Sequence, residues 1–146
     1  MERVLVGIDG SEGSRHALRW AAAEARQWGA ELAVLNVWSF AAQAAGPGYG
    51  TLPAASDLQA AQEDLCRRVL AEEGLDRETG DPPVALEVVE GPTVPELLRA
   101  AADADLLVLG ARGVGGFVGL LVGSVSQHCA AHAPGPVVIV HAPDRD

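Results

Sequence analysis

Short apolar runs alternate along the chain with longer segments in which apolar residues recur every three or four positions. The runs place valine, leucine and isoleucine at successive positions, which is typical of strands buried on both faces. The spacing of three and four is typical of helices that bury one side. The pattern predicts strands at residues 3–8, 32–38, 84–90, 106–109 and 137–141, and helices at residues 14–29, 56–73, 93–104 and 124–133.

Glycine, proline and hydroxyl residues mark the predicted ends of these elements. Gly29 suits the position after a helix, where the backbone turns left-handed. Thr93 is followed three residues later by Glu96, which predicts a capping box with Thr93 as the N-cap. Residues 41–55 contain several glycines and prolines and therefore predict a loop, longer than most connections in a compact domain.

The alternation of strands and helices predicts the fold class. Such an order implies a parallel sheet covered by helices on both faces. Right-handed crossovers then give an open, doubly wound, five-stranded α/β sheet of the flavodoxin or Rossmann type, for which we expect the strand order 3-2-1-4-5. No linker or internal repeat divides the chain, so residues 1–146 are predicted to form one domain.

Composition and charge exclude several classes of function. The 146 residues are 49% hydrophobic, and a chain of this size buries roughly 70% of its unfolded surface, enough for a core without disulfides. The net charge of −10 and the lack of basic runs argue against nucleic acid and anionic membranes as partners. All ten cations are arginine, which excludes a Walker A loop because that loop requires lysine. With no apolar run of membrane-spanning length and no room for a signal peptide before the first strand, we expect a cytoplasmic protein.

The cysteines, histidines and tryptophans do not form a recognisable catalytic pattern. Cys66 and Cys129 lie in apolar helical stretches and are predicted to be small buried hydrophobes, with a redox pair as the alternative. His128 and His132 are four residues apart, but a zinc site needs further ligands that the surrounding sequence does not supply. The remaining histidines are predicted to serve packing or the strand edge: His16 and His141. The tryptophans are predicted to lie in the core or at an interface: Trp20, Trp28 and Trp38.

Two unusual loops fall where the predicted sheet places a ligand. In an open α/β sheet that place is the carboxyl edge at the point where the winding reverses, here between strands one and four. Residues 7–11 and 110–123 follow those strands, and the second loop holds six glycines and one cation, Arg112. Exposed backbone N–H groups and the following helix N-terminus favour an anion such as phosphate, with Ser124 as a cap or donor and Ser126 as a further donor. A flexible connection with an ordinary helix cap is the alternative.

The spacing of this loop resembles a known family. Gly110-x-x-Gly113, nine residues, and then Gly123-Ser124 match the G-2x-G-9x-G-[S/T] pattern of the ATP-binding branch of the universal stress proteins. The opening strand with Asp9, the element order, the length and the final apolar strand are also similar to that family. Ala111 departs from it, because many members have a hydroxyl residue there.

The resemblance implies a role for each matching residue. Asp9 would lie beside the nucleotide, and the backbone of Val37 would meet the adenine. Gly110 and Gly113 would face the ribose and phosphates, and Gly123, Ser124 and Val125 would cradle the triphosphate. The resemblance also implies a homodimer through residues 137–141. The nucleotide site as a whole comprises Gly7, Ile8, Asp9, Val37, Gly110, Ala111, Arg112, Gly113, Val114, Gly115, Gly116, Gly123, Ser124, Val125 and Ser126.

The negative charge of ATP leads us to expect a metal ion at the site as well. ATP carries nearly four negative charges, so Mg²⁺ or Mn²⁺ on the phosphates, facing Asp9, would offset the deficit. We therefore expect an ATP-binding sensor or switch in the stress response, read by a downstream protein partner. The first alternative is a slow metal-dependent ATPase or phosphotransferase using Asp9, although no catalytic base can be named. The second is a flavodoxin-like module that binds flavin or another phosphate ligand.

Overall fold

The computed structural model describes residues 1–41, 54–77, 79–112 and 123–143. Within them, parallel strands form one sheet in the order β3-β2-β1-β4-β5. The strands are β1 (Arg3–Gly7), β2 (Glu31–Trp38), β3 (Val84–Glu90), β4 (Leu106–Gly110) and β5 (Val137–Val140). The helices are α1 (Glu12–Trp28), α2 (Ala55–Glu72), α3 (Thr93–Ala101) and α4 (Ser124–His132). The predicted α/β class and strand order are confirmed.

Helices cover both faces of the sheet because the central strands are apolar on both sides. On one face, α1 and α2 bury the larger cluster, which includes Val6, Leu18 and Val69. On the other face, α3 and α4 cover a cluster that includes Leu107 and Cys129. The winding reverses between β1 and β4, so the segments that follow these two strands meet at one edge.

The start of α1 and the caps of α3 and α4 differ from the prediction. Helix α1 begins at Glu12 rather than residue 14, with Ser11 as its N-cap. The capping box predicted at Thr93 is wrong: Pro92 is the N-cap of α3, and no side chain caps it. A proline offers no N–H for the box's glutamate to reach, and Glu96 instead accepts a hydrogen bond from Arg99 Nε at 2.8 Å. Gly123 is the N-cap of α4, so Ser124 is inside the helix and does not cap it.

The cysteines match their predicted role, and the tryptophans do so only in part. Cys66 and Cys129 are buried free thiols, and burial raises the pKa of Cys66 to about 11. Trp38 is buried in the core, whereas Trp20 and Trp28 are 37% and 55% exposed, so for these two the interface is the half of the prediction that remains. None of the described helices is long and apolar enough to cross a membrane.

An arginine–glutamate cluster ties α1 to the end of α2. Arg19 donates to both carboxylate oxygens of Glu73, at 2.8 Å each, through its Nε and one terminal nitrogen. Arg15 bridges Glu72 at 2.7 Å and Glu73 at 3.4 Å. The hydrogen bonds from Arg19, opposed by burial, hold the pKa of Glu73 below its ordinary value. This cluster places the arginine side of α1 against α2.

We expect Glu73→Gln to lower the free energy of unfolding by about 1 kcal/mol at pH 7, because a bidentate pair with a side chain only 13% exposed is lost. A depressed carboxylate pKa stabilises the fold above the unfolded-state pKa, and that contribution is lost as the pH falls through the folded-state value. The difference between parent and variant in urea denaturation should therefore shrink between pH 5 and pH 3. Glu72→Gln, at a more exposed carboxylate, is the control and should cost less. An undiminished difference at pH 3 would contradict this assignment.

Candidate functional site

The turn after β1 is held by its own side chains. Asp9 Oδ1 accepts a hydrogen bond from the Ser11 backbone N–H at 2.9 Å. Gly10, between them, has a φ of 84°, a left-handed conformation that favours glycine. Asp9 is itself exposed at the sheet edge. The turn therefore presents a carboxylate whose backbone is fixed before any ligand arrives.

Ser14 locks this turn to the start of α1. Its buried hydroxyl donates to the Ser11 carbonyl oxygen at 2.9 Å and accepts from the Asp9 N–H at 3.3 Å. In return, the Ser14 N–H donates to the Ser11 Oγ at 3.2 Å. Sequence reasoning missed Ser14, although two serines three residues apart at a helix start were a usable signal.

Close backbone contact joins the β1 turn to the end of β4. A Cβ on Gly110 would lie 2.8 Å from the Gly13 carbonyl oxygen, and a Cβ on Gly13 would lie 2.7 Å from the Arg112 carbonyl oxygen. Both distances are below van der Waals contact, so the two segments approach this closely only because both positions are glycine. The sequence predicted Gly110 as a site residue and missed Gly13.

The start of α4 comes to the same place. The Gly123 N–H donates to the Ala111 carbonyl oxygen, and the Ala111 N–H donates to the Val140 carbonyl oxygen at 2.9 Å. The intrahelical ladder begins with the Gln127 N–H bonded to the Gly123 carbonyl, which leaves the amides of residues 124–126 without intrahelical partners. Ser124 is exposed there. These amides can bind an anion.

Ser126 has a role other than the predicted one. Its hydroxyl is buried and donates to the Gly110 carbonyl oxygen at 2.6 Å. The single hydroxyl proton is therefore used inside the protein, and the side chain is not available as a phosphate donor. Ser126 instead fixes the last residue of β4 against the first turn of α4.

Asn36 supports the site from β2 and was also missed. Its amide Nδ2 donates to the Ile8 carbonyl oxygen at 2.9 Å, one residue before Asp9. The side chain is 2% exposed, and Oδ1 makes no hydrogen bond within the part of the chain that the structure describes. A lone amide in an otherwise apolar strand was the available signal. Val37, the next residue, is half-buried at the carboxyl end of the same strand.

The structure thus brings most of the predicted site together. Residues 7–9, 110–112 and 123–126 lie at adjoining strand and helix ends, with exposed Arg112 contributing the positive charge. Gly113, Val114, Gly115 and Gly116 lie outside the described residues. In the described ranges, no group of three or more metal-ligating side chains is found, so His128 and His132 have no third ligand beside them. The carboxylate of Asp9 is the side chain of this edge that could face a phosphate-bound cation.

The family assignment follows from comparison with known proteins. The model of the universal stress protein family matches residues 1–141. Over 139 residues the chain is 37% identical to a universal stress protein of Mycolicibacterium smegmatis, an alignment that covers 94% of this chain and 45% of that protein. The chain therefore spans about half the length of the curated relatives it matches.

Solved structures agree with that match. Universal stress protein UspA from Lactobacillus plantarum has a TM-score of 0.75 and 25% identity, over 95% of this chain and 97% of that one. A universal stress protein in complex with cAMP has a TM-score of 0.69 and 27% identity, over 97% of this chain and 98% of that one. From the family match along nearly the whole sequence and from the shared fold, we conclude that this chain belongs to the universal stress protein family.

Proposed function

We propose that this chain binds ATP at the carboxyl edge of β1 and β4 and acts as a nucleotide-dependent sensor or switch in the stress response. The observation that carries the proposal is the contact of three segments at one point. The Asp9 turn, the end of β4 and the N-terminus of α4 meet through Gly13, Gly110 and Gly123. These contacts bring the amides at the start of α4 beside the Asp9 turn, and amides at a helix N-terminus are the groups that would bind a phosphate.

The phosphates would bind at the α4 end of this cradle. The amides of residues 124–126, which have no intrahelical partner, and the exposed Ser124 hydroxyl would supply donors, and Arg112 would supply charge. The family motif would add Gly113 to the same subsite. Amides bind phosphate without a lysine, which fits a chain whose cations are all arginine.

The base would bind at the β1–β2 side. Ile8 and Asp9 directly follow β1 there, and Val37 offers backbone groups near the end of β2. Support for a nucleotide as the ligand class comes from the relative of 27% identity that was solved with cAMP. The triphosphate is proposed from the motif Gly110, Gly113, Gly123 and Ser124.

A divalent cation, Mg²⁺ or Mn²⁺, fits the charges of the site. The edge offers one arginine and a few amides against a triphosphate, and the exposed carboxylate of Asp9 is itself negative. The ion would neutralise part of the phosphate charge when bound. Asp9 also holds its own turn through Ser11, so its described contact is a positioning one and does not by itself favour hydrolysis.

The protein should bind ATP with Mg²⁺ in calorimetric titration, and excess chelator should weaken binding at least about tenfold, since the phosphate charge is then uncompensated. Limited proteolysis of the same samples tests the switch: ATP should protect residues 110–123. Equal affinity with and without chelator would show that no metal ion takes part in binding, and equal cleavage would show that ATP does not order the loop. The lack of any ATP binding would overturn the proposal. Measuring ATP turnover by the parent and by Asp9→Asn tests the alternative that the protein is a slow ATPase using Asp9.

We also propose that the chain forms a homodimer through β5. This strand is at the edge of the sheet, and its four residues are apolar and only half-buried. Edge strands are usually protected by charges, prolines or a covering element, because their free N–H and C=O groups pair with other chains. An uncharged edge is therefore suited to pairing with a second copy.

A further inference from the structure

Helix α1 exposes two tryptophans on one flank. Trp20, Glu24 and Trp28 are four residues apart, and we call these three residues the tryptophan flank. The Trp28 Nε1–H donates to Glu24 Oε1 at 2.9 Å, which orients the ring while leaving the residue 55% exposed. Exposed aromatic residues that share one side of a molecule with other apolar residues mark surfaces that bind a partner.

The tryptophan flank faces the β5 side of the sheet. The opposite flank of α1 contacts α2 through Arg15 and Arg19. At 100° per residue, Glu24 and Trp28 are on the other side of the helix from these arginines, and Trp20 is at the top of that side. Gly13, seven residues before Trp20 and on the same flank, touches the end of β4. The tryptophan flank is therefore on the side of α1 that faces β4 and the edge strand β5.

Two half-buried valines of β5 lie on the same face of the sheet as α1. Val138 and Val140 are the β5 residues that pack against the α1 face of the core, and both are half-buried. Helix α1 covers this face over β1 and β4, and α2 contacts β2 and β3, further from the free edge. Among the described residues, the β5 valines and the tryptophan flank thus lie on the same side of α1, away from α2.

We propose that the tryptophan flank is an interface for a second copy of this chain, an inference that rests on the proposed β5 pairing. Helix α1 lies over β1 and β4, about two strand spacings from the midline of a β5 pair. Because neighbouring strands are about 4.8 Å apart, the two α1 helices of a dimer would be four spacings, or about 19 Å, apart. Helices in direct contact are only 8–10 Å apart. The space between the two α1 helices needs large side chains from both copies, and Trp20 and Trp28 lie on that side.

Buried area favours the same occupant. A stable dimer of standard size buries about 800 Å² on each partner, more than the pairing of one four-residue strand supplies. The exposed fractions of Trp20 and Trp28, 37% and 55%, correspond to about 200 Å² of further aromatic surface per copy. The tryptophans would thus contribute about a quarter of the area a stable dimer needs.

Sedimentation equilibrium of the full chain tests the interface. The parent should dimerise, and the double variant Trp20→Ser/Trp28→Ser should dimerise at least about tenfold more weakly. Ala23→Ser, an exposed position four residues after Arg19 and so on the other side of the helix, should match the parent. Ile139→Pro tests the strand pairing separately. The Leu107 N–H bonds to the Pro136 carbonyl and the Ala111 N–H to the Val140 carbonyl, so by alternation the Ile139 N–H faces outward. Ile139→Ala keeps that N–H and controls for the lost side chain.

Each outcome decides between the two proposals. A double variant that dimerises as well as the parent would overturn the tryptophan interface, while β5 pairing would stand if Ile139→Pro weakens the dimer more than Ile139→Ala. A parent that stays monomeric would overturn both, and ATP titration would still measure nucleotide binding independently. Acrylamide quenching of the parent gives a reading without variants: indole accessibility should fall as the dimer forms. Unchanged accessibility across dimerisation would also overturn the interface.

Discussion

Gly110→Ala is expected to weaken ATP binding at least about 30-fold, the largest effect on binding proposed for the site. The new Cβ would lie 2.8 Å from the carbonyl oxygen of Gly13 and 2.9 Å from its carbonyl carbon. Both atoms are backbone, so the β1 turn and the end of β4 must move apart. That displacement separates the Asp9 turn from the α4 N-terminus. Calorimetric titration with ATP and Mg²⁺ measures the loss, which corresponds to about 2 kcal/mol.

Stability should change in the same variant, which requires a control. Overpacking a closely packed position costs typically about 1–3 kcal/mol, so the urea midpoint of Gly110→Ala should fall as well. Gly135→Ala is the matched substitution, because a Cβ there meets no atom within 4 Å. It should leave both affinity and stability near those of the parent. If Gly110→Ala binds ATP like Gly135→Ala, the glycine contact does not position the nucleotide site.

The position of the site could be predicted from the sequence because it depends on topology. Apolar strands alternating with helices leave few parallel arrangements, and the reversal of winding then selects the loops after β1 and β4. Gly110 and Gly123 were identifiable because their motif is local. What the local pattern could not supply was contact between distant segments. Gly13 looks like an ordinary residue of a helix start until the structure places it against Arg112.

The wrong predictions have a common physical origin. Thr93 and Ser124 are residue types that suit a helix N-cap. The N-caps of α3 and α4 are instead one residue earlier, at Pro92 and Gly123. Residue type also made Ser126 a candidate phosphate donor, whereas its hydroxyl donates a hydrogen bond to the nearby Gly110 carbonyl oxygen. Hydroxyl side chains bond whichever backbone group is closest, so their roles depend on tertiary structure. For Trp20 and Trp28, ring size predicted burial in the core or at an interface, and their exposure leaves the interface as the prediction.

Asn36→Asp is expected to lower the free energy of unfolding by about 3 kcal/mol or more at pH 7, the largest effect on stability proposed for this chain. Asn36 is 2% exposed and donates to the Ile8 carbonyl oxygen. A carboxylate there loses the donor, faces a carbonyl oxygen and is removed from water, each of which is unfavourable. Ile8 precedes Asp9, so ATP affinity should fall together with stability.

The pH dependence identifies the cause of that loss. Burial without a cation raises the folded-state pKa of the introduced carboxyl above its unfolded value, so the folded state binds the proton more tightly. The variant should therefore regain stability relative to the parent as the pH falls from 7 towards 5, where the protonated carboxyl can again donate to the Ile8 carbonyl. Urea denaturation of both proteins at each pH gives the difference directly. A deficit that stays constant over this range would mean that Asn36 contributes shape alone and does not hold the Asp9 turn through its hydrogen bond.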